Sequence, residues 1–126
     1  MKLRTFFVED NPTIRENLVA TLAELANVEA VGSAETETQA NQWLSQHSGE
    51  WDLVIVDLFL REGSGLGVVS ALQNRPSCQK LLVLSNYATA DVRERCLQLN
   101  ADAVFDKSNE IDGLIDFCIN LDTETY

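Results

Sequence analysis

The chain is short of basic residues, and that shortage limits its possible partners. Nine Lys and Arg residues stand against 20 Asp and Glu residues, which gives a formal net charge of -11 at pH 7. Such a chain repels the phosphate backbone of nucleic acid unless its basic residues cluster. They are scattered along the sequence, so we expect no direct binding to DNA or RNA.

The chain also lacks a long apolar run. Its amino terminus passes from Phe6, Phe7 and Val8 directly to Glu9 and Asp10. This stretch is too short for a signal peptide or a membrane span. We therefore expect a cytoplasmic protein that makes no use of the membrane.

Cysteine is rare, and its spacing excludes familiar thiol sites. Cys78, Cys96 and Cys118 are odd in number and form neither a CxxC pair nor a set of Cys and His ligands. We expect reduced structural thiols. The length of 126 residues suits one compact domain. We place this domain at residues 1–121, followed by a polar tail at 122–126, and expect no output domain.

Short apolar runs alternate with stretches of helical period, the pattern of βα units around a parallel sheet. Five units are predicted, with strands at residues 3–8, 28–31, 53–56, 81–84 and 103–105. The clearest helix follows Asn11, an N-cap residue, and has Pro12 at its first position. Its apolar stripe consists of Ile14, Leu18, Leu22 and Leu25. The other helices are predicted after Thr36, the Gly63-Ser64-Gly65 turn, Thr89 and residue 110.

Reactive polar residues follow four of the five predicted strands. They are Glu9 and Asp10 after the first strand, Asp57 after the third, Ser85 after the fourth and Lys107 after the fifth. Ligands of open parallel sheets bind outside the carboxyl ends of the strands. The sequence therefore predicts that these side chains form one site.

Three neighbouring carboxylates favour a hard divalent cation, because they repel one another when all are ionised. Mg²⁺ is expected, since it takes oxygen ligands and commonly binds one or two carboxylates together with phosphate. Asp10 and Asp57 would be direct ligands, with Glu9 acting through water. Asp57 could attack phosphorus, while Lys107 neutralises the phosphoryl oxygens and Ser85 donates a hydrogen bond to them.

On these residues the chain resembles the receiver domains of bacterial response regulators over essentially its whole length. Glu9-Asp10 resembles the acidic pair of that family, residues 57–65 its phosphoacceptor segment, Ser85 its hydroxyl and Lys107 its lysine. The resemblance implies a flavodoxin-like (βα)5 three-layer α/β sandwich with a parallel sheet in the order 2-1-3-4-5. It also implies that the backbone carbonyl of Phe59 is a Mg²⁺ ligand.

The resemblance implies a signalling role rather than an enzyme in the ordinary sense. A histidine kinase or histidine phosphotransfer protein would phosphorylate Asp57, and Ser85 would then move inward. This movement would change the face formed by the fourth helix, the fifth strand and the fifth helix. Output would pass by protein contact or onward phosphotransfer, from a monomer or a weak homodimer.

Three positions depart from the family pattern. Arg61 stands where Pro is frequent, and Ser108 stands where Pro often follows the lysine, so we expect a trans peptide bond before it. Val104 occupies the place of the Tyr or Phe that usually moves with the hydroxyl. The neighbouring Phe105 should point to the opposite face of the sheet, into the core.

Two aromatic residues are predicted to flank the phosphoryl group. Phe59 and Tyr87 lie two positions after Asp57 and Ser85 respectively. We expect their rings to limit the access of water to an acyl phosphate. The single histidine, His47, is expected on the surface near the end of the second helix and away from this site.

Other interpretations of the same residues exist. Each site residue alone would be an ordinary surface, turn or cap residue, and only their combination favours chemistry. A phosphatase of the haloacid-dehalogenase type would require an acid where Phe59 stands. A pseudo-receiver would keep the fold as a protein-binding module without phosphorylation. An amino-terminal fragment of a larger regulator would show the same features.

Overall fold

A computed structural model describes residues 2–124 of the chain, with side chains as far as residue 121. Strands and helices alternate: β1 Leu3–Val8, α1 Pro12–Leu25, β2 Val28–Ala34, α2 Glu37–Gln46, β3 Leu53–Asp57, α3 Gly65–Ala71, β4 Lys80–Ser85, α4 Ala90–Gln98, β5 Ala103–Asp106 and α5 Ile111–Glu124. Every strand pair is parallel, and the sheet order is β2-β1-β3-β4-β5. The predicted flavodoxin-like fold is confirmed.

Two apolar layers cover the two faces of the sheet. One contains Val54 and Val56 and is closed by α2, α3 and α4, and the other contains Leu53 and Ile55 and is closed by α1 and α5. Consecutive residues of β3 thus enter different layers, and all five residues of this strand are buried. A continuous apolar run suits such a strand because both of its faces are covered.

Side-chain caps begin four of the helices shortly after the strands end. Asn11, Thr36, Ser64 and Thr89 each accept a hydrogen bond from a backbone N–H group of the first helical turn. These caps satisfy donors that have no partner inside the helix. Short loops therefore follow the carboxyl ends of the strands, where the polar residues predicted to act together lie.

Strand β2 is longer than predicted, because it continues to Ala34 instead of ending at residue 31. Thr5 pairs with Ala30 but Phe6 pairs with Gly32, so Val31 is an extra residue in the ladder. The strand resumes its pairing after this bulge. A side chain at Gly32 would meet the indole of Trp43, with its Cβ 2.8 Å from the ring.

The first three residues of the segment predicted as a polar tail, 122–124, are helical. Helix α5 continues to Glu124, while residues 125 and 126 lie outside the described part of the chain. The apolar stripe of α1 is also shorter than predicted. Leu18 and Leu22 are buried, but Ile14 and Leu25 at the two ends are exposed.

Three further features are seen within residues 2–124. No peptide bond is cis, so the bond between Lys107 and Ser108 is trans. All three cysteines are free thiols. No helix in this range is both long enough and apolar enough to cross a membrane.

Candidate functional site

The acidic cluster forms where β1 and β3 end beside each other. Val8 pairs with Val56, so the next residues of the two strands, Glu9 and Asp57, leave the sheet at the same level. Oxygen atoms of Glu9, Asp10 and Asp57 all lie within 4.8 Å of one another. Glu9 is only 4% exposed and Asp57 only 6%. Their negative charges are therefore poorly screened by water.

Lys107 provides the positive charge at this cluster. Its Nζ donates hydrogen bonds to Glu9 Oε1 at 2.6 Å and to Asp57 Oδ2 at 2.9 Å. Burial lowers the pKa of Lys107, but the hydrogen bonds to both carboxylates outweigh burial and raise the pKa overall. The ammonium group is therefore charged at neutral pH. A backbone hydrogen bond from Lys107 N to Ser85 O, 3.0 Å long, fixes the loop that carries it.

One ammonium group does not neutralise three carboxylates. Among them, Asp10 is the one whose ionised form is disfavoured. Burial raises the pKa of Asp10, and its hydrogen bond to Glu9 and the charge of Glu9 raise it further. The backbone of Asp10 itself and of Arg61 lowers the pKa and partly opposes this rise. A crowded set of hard oxygen donors with excess negative charge fits Mg²⁺.

The loop after β3 directs the two carboxylate oxygens of Asp57 towards different donors. Phe59 N donates to Oδ1 at 3.2 Å, whereas Oδ2 accepts from Lys107. The loop closes tightly, because Gly65 N donates to Leu58 O at 2.9 Å. A Cβ atom on Gly65 would lie 2.1 Å from the Asp57 carbonyl oxygen. Only glycine allows this approach, which places the start of α3 against the backbone of Asp57 and Leu58.

Ser85 is fully buried at the end of β4, beside the strand that carries Asp57. Its Oγ accepts a hydrogen bond from Tyr87 N at 3.1 Å. Since its carbonyl oxygen also binds Lys107 N, Ser85 connects the loop after β4 with the loop after β5. The hydroxyl hydrogen remains free to rotate towards another acceptor.

Two exposed rings join the loops after β3 and β4. Phe59 is 55% exposed and Tyr87 is 63% exposed. Their ring centroids are 5.2 Å apart in an edge-to-face arrangement, a favourable geometry for aromatic pairs. Exposed apolar patches often mark functional surfaces. This pair lies on the loops that follow Asp57 and Ser85.

The structure places Val104 and Phe105 on opposite sides of β5, as the alternation of strand side chains predicts. Val104 is buried in the layer closed by α2, α3 and α4, while Phe105 packs near Phe117 in the other layer. No aromatic ring therefore occupies position 104.

Sequence reasoning missed an arginine that contacts the backbone at Val104. Arg93 Nε donates to Ala88 O at 2.9 Å, and its Nη1 donates to Val104 O at 3.0 Å. The remaining Nη2 forms an ion pair with Glu110. The hydrogen bond from Arg93 lowers the pKa of Glu110. One guanidinium thus connects the β4–α4 loop, strand β5 and the start of α5, and no local sequence signal marks it.

The remaining aromatic and histidine residues lie apart from the acidic cluster. His47 ends α2 and stacks on Trp43 with a centroid distance of 4.1 Å. Trp43 in turn stacks on Phe6, and Trp51 is only 2% exposed. Trp43 and Trp51 therefore serve packing, whereas His47 is partly buried instead of lying on the surface as expected.

Comparisons with known proteins find a match along most of the chain. The family model described as the response regulator receiver domain matches residues 5–118. No curated protein sequence matches the chain.

Three solved structures illustrate the similarity of fold. One is a DNA-binding response regulator of the LuxR family from Staphylococcus aureus, with 16% identity, TM-score 0.81 and coverage of 94% of this chain and 98% of that chain. Another is the receiver domain of the putative response regulator NarL from Mycobacterium tuberculosis, with 21% identity, TM-score 0.76 and coverage of 93% and 96%. The third is the phosphorylated cyanobacterial phytochrome response regulator RcpA, with 22% identity, TM-score 0.74 and coverage of 97% and 92%.

The raised pKa of Asp10 predicts a gain in stability when this charge is removed. A carboxyl group whose pKa is higher in the folded state binds more protons there, so its ionised form opposes folding at neutral pH. Asp10→Asn should therefore raise the melting temperature at pH 7 without Mg²⁺, by up to about 4 °C. Differential scanning calorimetry would measure the change.

The matched control is Asp116→Asn, which removes the same charge from an exposed position of α5. Mg²⁺ should raise the melting temperature of the parent and of this control, and much less that of Asp10→Asn. An equal gain from the two substitutions in the absence of Mg²⁺ would show that general charge repulsion, rather than the cluster, opposes folding.

Proposed function

The chain belongs to the family of response regulator receiver domains, and from this premise we propose that it accepts a phosphoryl group on Asp57 from a histidine kinase or a histidine phosphotransfer protein. The observation that carries the proposal is the Lys107 ammonium, which binds Asp57 Oδ2 at 2.9 Å inside the acidic cluster. A carboxylate beside a fixed cation can act as a nucleophile towards phosphorus.

The transfer would form a bond between an Asp57 oxygen and phosphorus as the bond from phosphorus to the donor's histidine nitrogen breaks. The nitrogen keeps the electron pair. Lys107 would move from the carboxylates to a phosphoryl oxygen, and Ser85 Oγ would donate to another. Asp10, Asp57 and the Phe59 carbonyl would hold Mg²⁺, with Glu9 binding through water. The ion would supply positive charge to the carboxylates and the phosphoryl oxygens.

The biological role follows from the same proposal. Family members are phosphoacceptor signalling domains, which act through kinases or phosphotransfer proteins and downstream targets. We propose that this domain acts in the cytoplasm and signals through protein binding or onward phosphotransfer. Its net charge of -11 favours protein partners over nucleic acid.

The main alternative is a pseudo-receiver that binds proteins regardless of phosphorylation. Val104 favours this alternative, because it replaces the usual moving aromatic. The contacts of Lys107 with Glu9 and Asp57 favour phosphorylation instead, since a binding module has no need to bury these charges together. A haloacid-dehalogenase type of phosphatase has no support, because Phe59 offers no side-chain proton for a leaving group.

A direct test is the intact mass of the purified chain after incubation with acetyl phosphate and Mg²⁺. The parent should gain one phosphoryl group. The gain should be absent in Asp57→Asn and in the parent treated with EDTA. Failure of the parent to gain this mass with several small donors and with a phosphorylated histidine kinase would favour the pseudo-receiver.

The exposed ring pair predicts a slow loss of phosphate from Asp57. Rings beside an acyl phosphate would limit the approach of water. Phe59→Asn and Tyr87→Ala should each shorten the lifetime of the phosphorylated form several-fold, as measured by the decay of the phosphorylated mass after the donor is removed. Leu97→Ala, at another exposed apolar position, should leave the lifetime unchanged. Lifetimes equal to the parent in both ring variants would refute this role.

The contacts of Arg93 support a route by which the signal could leave the site. If Ser85 Oγ turns to a phosphoryl oxygen, the hydrogen bond that it accepts from Tyr87 N is disturbed. Ala88 follows Tyr87 in the chain, and its carbonyl oxygen accepts a hydrogen bond from Arg93. Arg93 also holds Val104 O and Glu110. A guanidinium can therefore connect the β4–α4 loop to α5 where the usual aromatic is missing.

Arg93→Lys should interrupt this connection, because lysine keeps the charge but loses the planar fork. Amide NMR spectra recorded with Mg²⁺ and beryllofluoride would follow the response. Shifts near Asp57 and Ser85 should persist in the variant, whereas those at Val104 and Glu110 should shrink. Arg95→Lys, two positions along the same helix, is the control. Unchanged shifts at Val104 and Glu110 in Arg93→Lys would exclude this route.

A further inference from the structure

A ring of contacts surrounds the acidic cluster on the side of α1 and β2. Arg15 Nη1 donates to the backbone oxygen of Glu9 at 3.0 Å and to Glu35 Oε2 at 3.1 Å. The other oxygen of Glu35 pairs with Arg61 Nη2 at 3.1 Å. The backbone leads from Arg61 back to Asp57, and Lys107 binds both Asp57 and Glu9, which closes the ring.

The ring joins three loops that are far apart in sequence. Glu9 and Asp10 follow β1, Glu35 follows β2, and Arg61 lies in the loop after β3. Glu35 is itself held at the start of α2, because its backbone N–H donates to Gln39 Oε1 at 3.0 Å. A single carboxylate with a fixed backbone thus holds two guanidinium groups.

Exposure increases around this ring from Arg15 to Arg61. The side chain of Arg15 is 19% exposed, that of Glu35 is 30% exposed and that of Arg61 is 56% exposed. The contacts of Arg15 are the better protected from water. An isolated exposed ion pair contributes little to the stability of a protein. The main effect of the ring is therefore to fix the positions of the three loops.

Arg61 is the residue that stands where proline is frequent in the family. A proline here could not form the ion pair with Glu35, because it has no cationic group. Arg61 can therefore do in this chain what the usual residue cannot. It fixes the loop after β3, which carries Asp57, to the loop after β1, which carries Asp10.

We propose that Glu35 and Arg61 are positioning residues for Mg²⁺, which set the relative placement of Asp10 and Asp57 without binding the ion themselves. The proposal rests on the proposed function, since it concerns the same acidic cluster. Mg²⁺ demands nearly ideal octahedral geometry, and groups that orient its ligands strongly affect its binding. The ring supplies this orientation from outside the cluster.

Charge and positioning predict opposite effects for Arg61→Ala. Removing a cation near the cluster should strengthen Mg²⁺ binding if charge alone matters. The substitution removes the ion pair with Glu35 and leaves the backbone of the loop in place. Positioning therefore predicts weaker binding in spite of the more negative charge, and the sign of the change separates the two effects.

The experiment is a titration of the full chain with MgCl₂, followed by the amide NMR signals of Asp10, Asp57 and Phe59. The dissociation constants of Arg61→Ala and Glu35→Gln should both rise by about threefold or more. Arg61→Lys should retain most of the affinity. Glu62→Gln is the matched control for Glu35→Gln, because it removes the same charge from the exposed neighbour of Arg61. It should change the constant less than Glu35→Gln does.

The double variant Glu35→Gln with Arg61→Ala tests whether the two residues act together. Its loss should be no larger than that of the worse single variant, since either change opens the ring. Equal or tighter binding by Arg61→Ala would overturn the positioning role, as would equal losses in Glu35→Gln and Glu62→Gln. Failure of the parent to bind Mg²⁺ would instead contradict the proposed function.

Discussion

The contact of Lys107 with Glu9 and Asp57 is the interaction on which the carboxyl edge of the sheet depends. Two almost fully buried carboxylates share one ammonium group, and a third carboxylate, Asp10, adds its charge at the rim. Removing one partner of such a buried group leaves an uncompensated charge, which is strongly destabilising. Burial and the neighbouring Glu9 raise the pKa of Asp10, so its ionised form is disfavoured in the fold. The excess negative charge that opposes folding favours the binding of a divalent cation and, with the cation, of a phosphoryl group.

Much of this arrangement could be predicted from the sequence, because its causes are local. Apolar runs predict the strands, and cap residues such as Asn11 and Thr89 predict where the helices start. The polar residues at the carboxyl ends of β1, β3, β4 and β5 meet because parallel strands end at one edge of the sheet. The bulge at Val31 was not predictable, since the register of β2 depends on its pairing with β1. The helical conformation of residues 122–124 was not predicted, because a polar composition does not distinguish a tail from the last turn of a helix.

The arginine contacts escaped prediction for a different reason. Arg15 and Glu35 are 20 residues apart, and Arg93 and Glu110 are 17 apart. Neither spacing corresponds to a helical or strand repeat, so these pairs depend on how long side chains cross between elements. Glu35 of the first pair also binds Arg61, and Arg93 of the second pair binds the carbonyl oxygen of Val104. Arg61 and Val104 are two positions where the chain departs from the family pattern. In both places a guanidinium makes contacts with backbone and carboxylate groups that the usual residue could not make.

The account as a whole requires Lys107 to exchange its carboxylate partners for the phosphoryl group. A crystal structure of the chain with Mg²⁺ and beryllofluoride, a mimic of the phosphoryl group, tests this most directly. The account predicts fluoride on Asp57, hydrogen bonds to it from Lys107 Nζ and Ser85 Oγ, and Mg²⁺ bound by Asp10 and Asp57. Lys107 still bridging Glu9 and Asp57, with no ion or beryllofluoride bound at saturating concentrations, would contradict it.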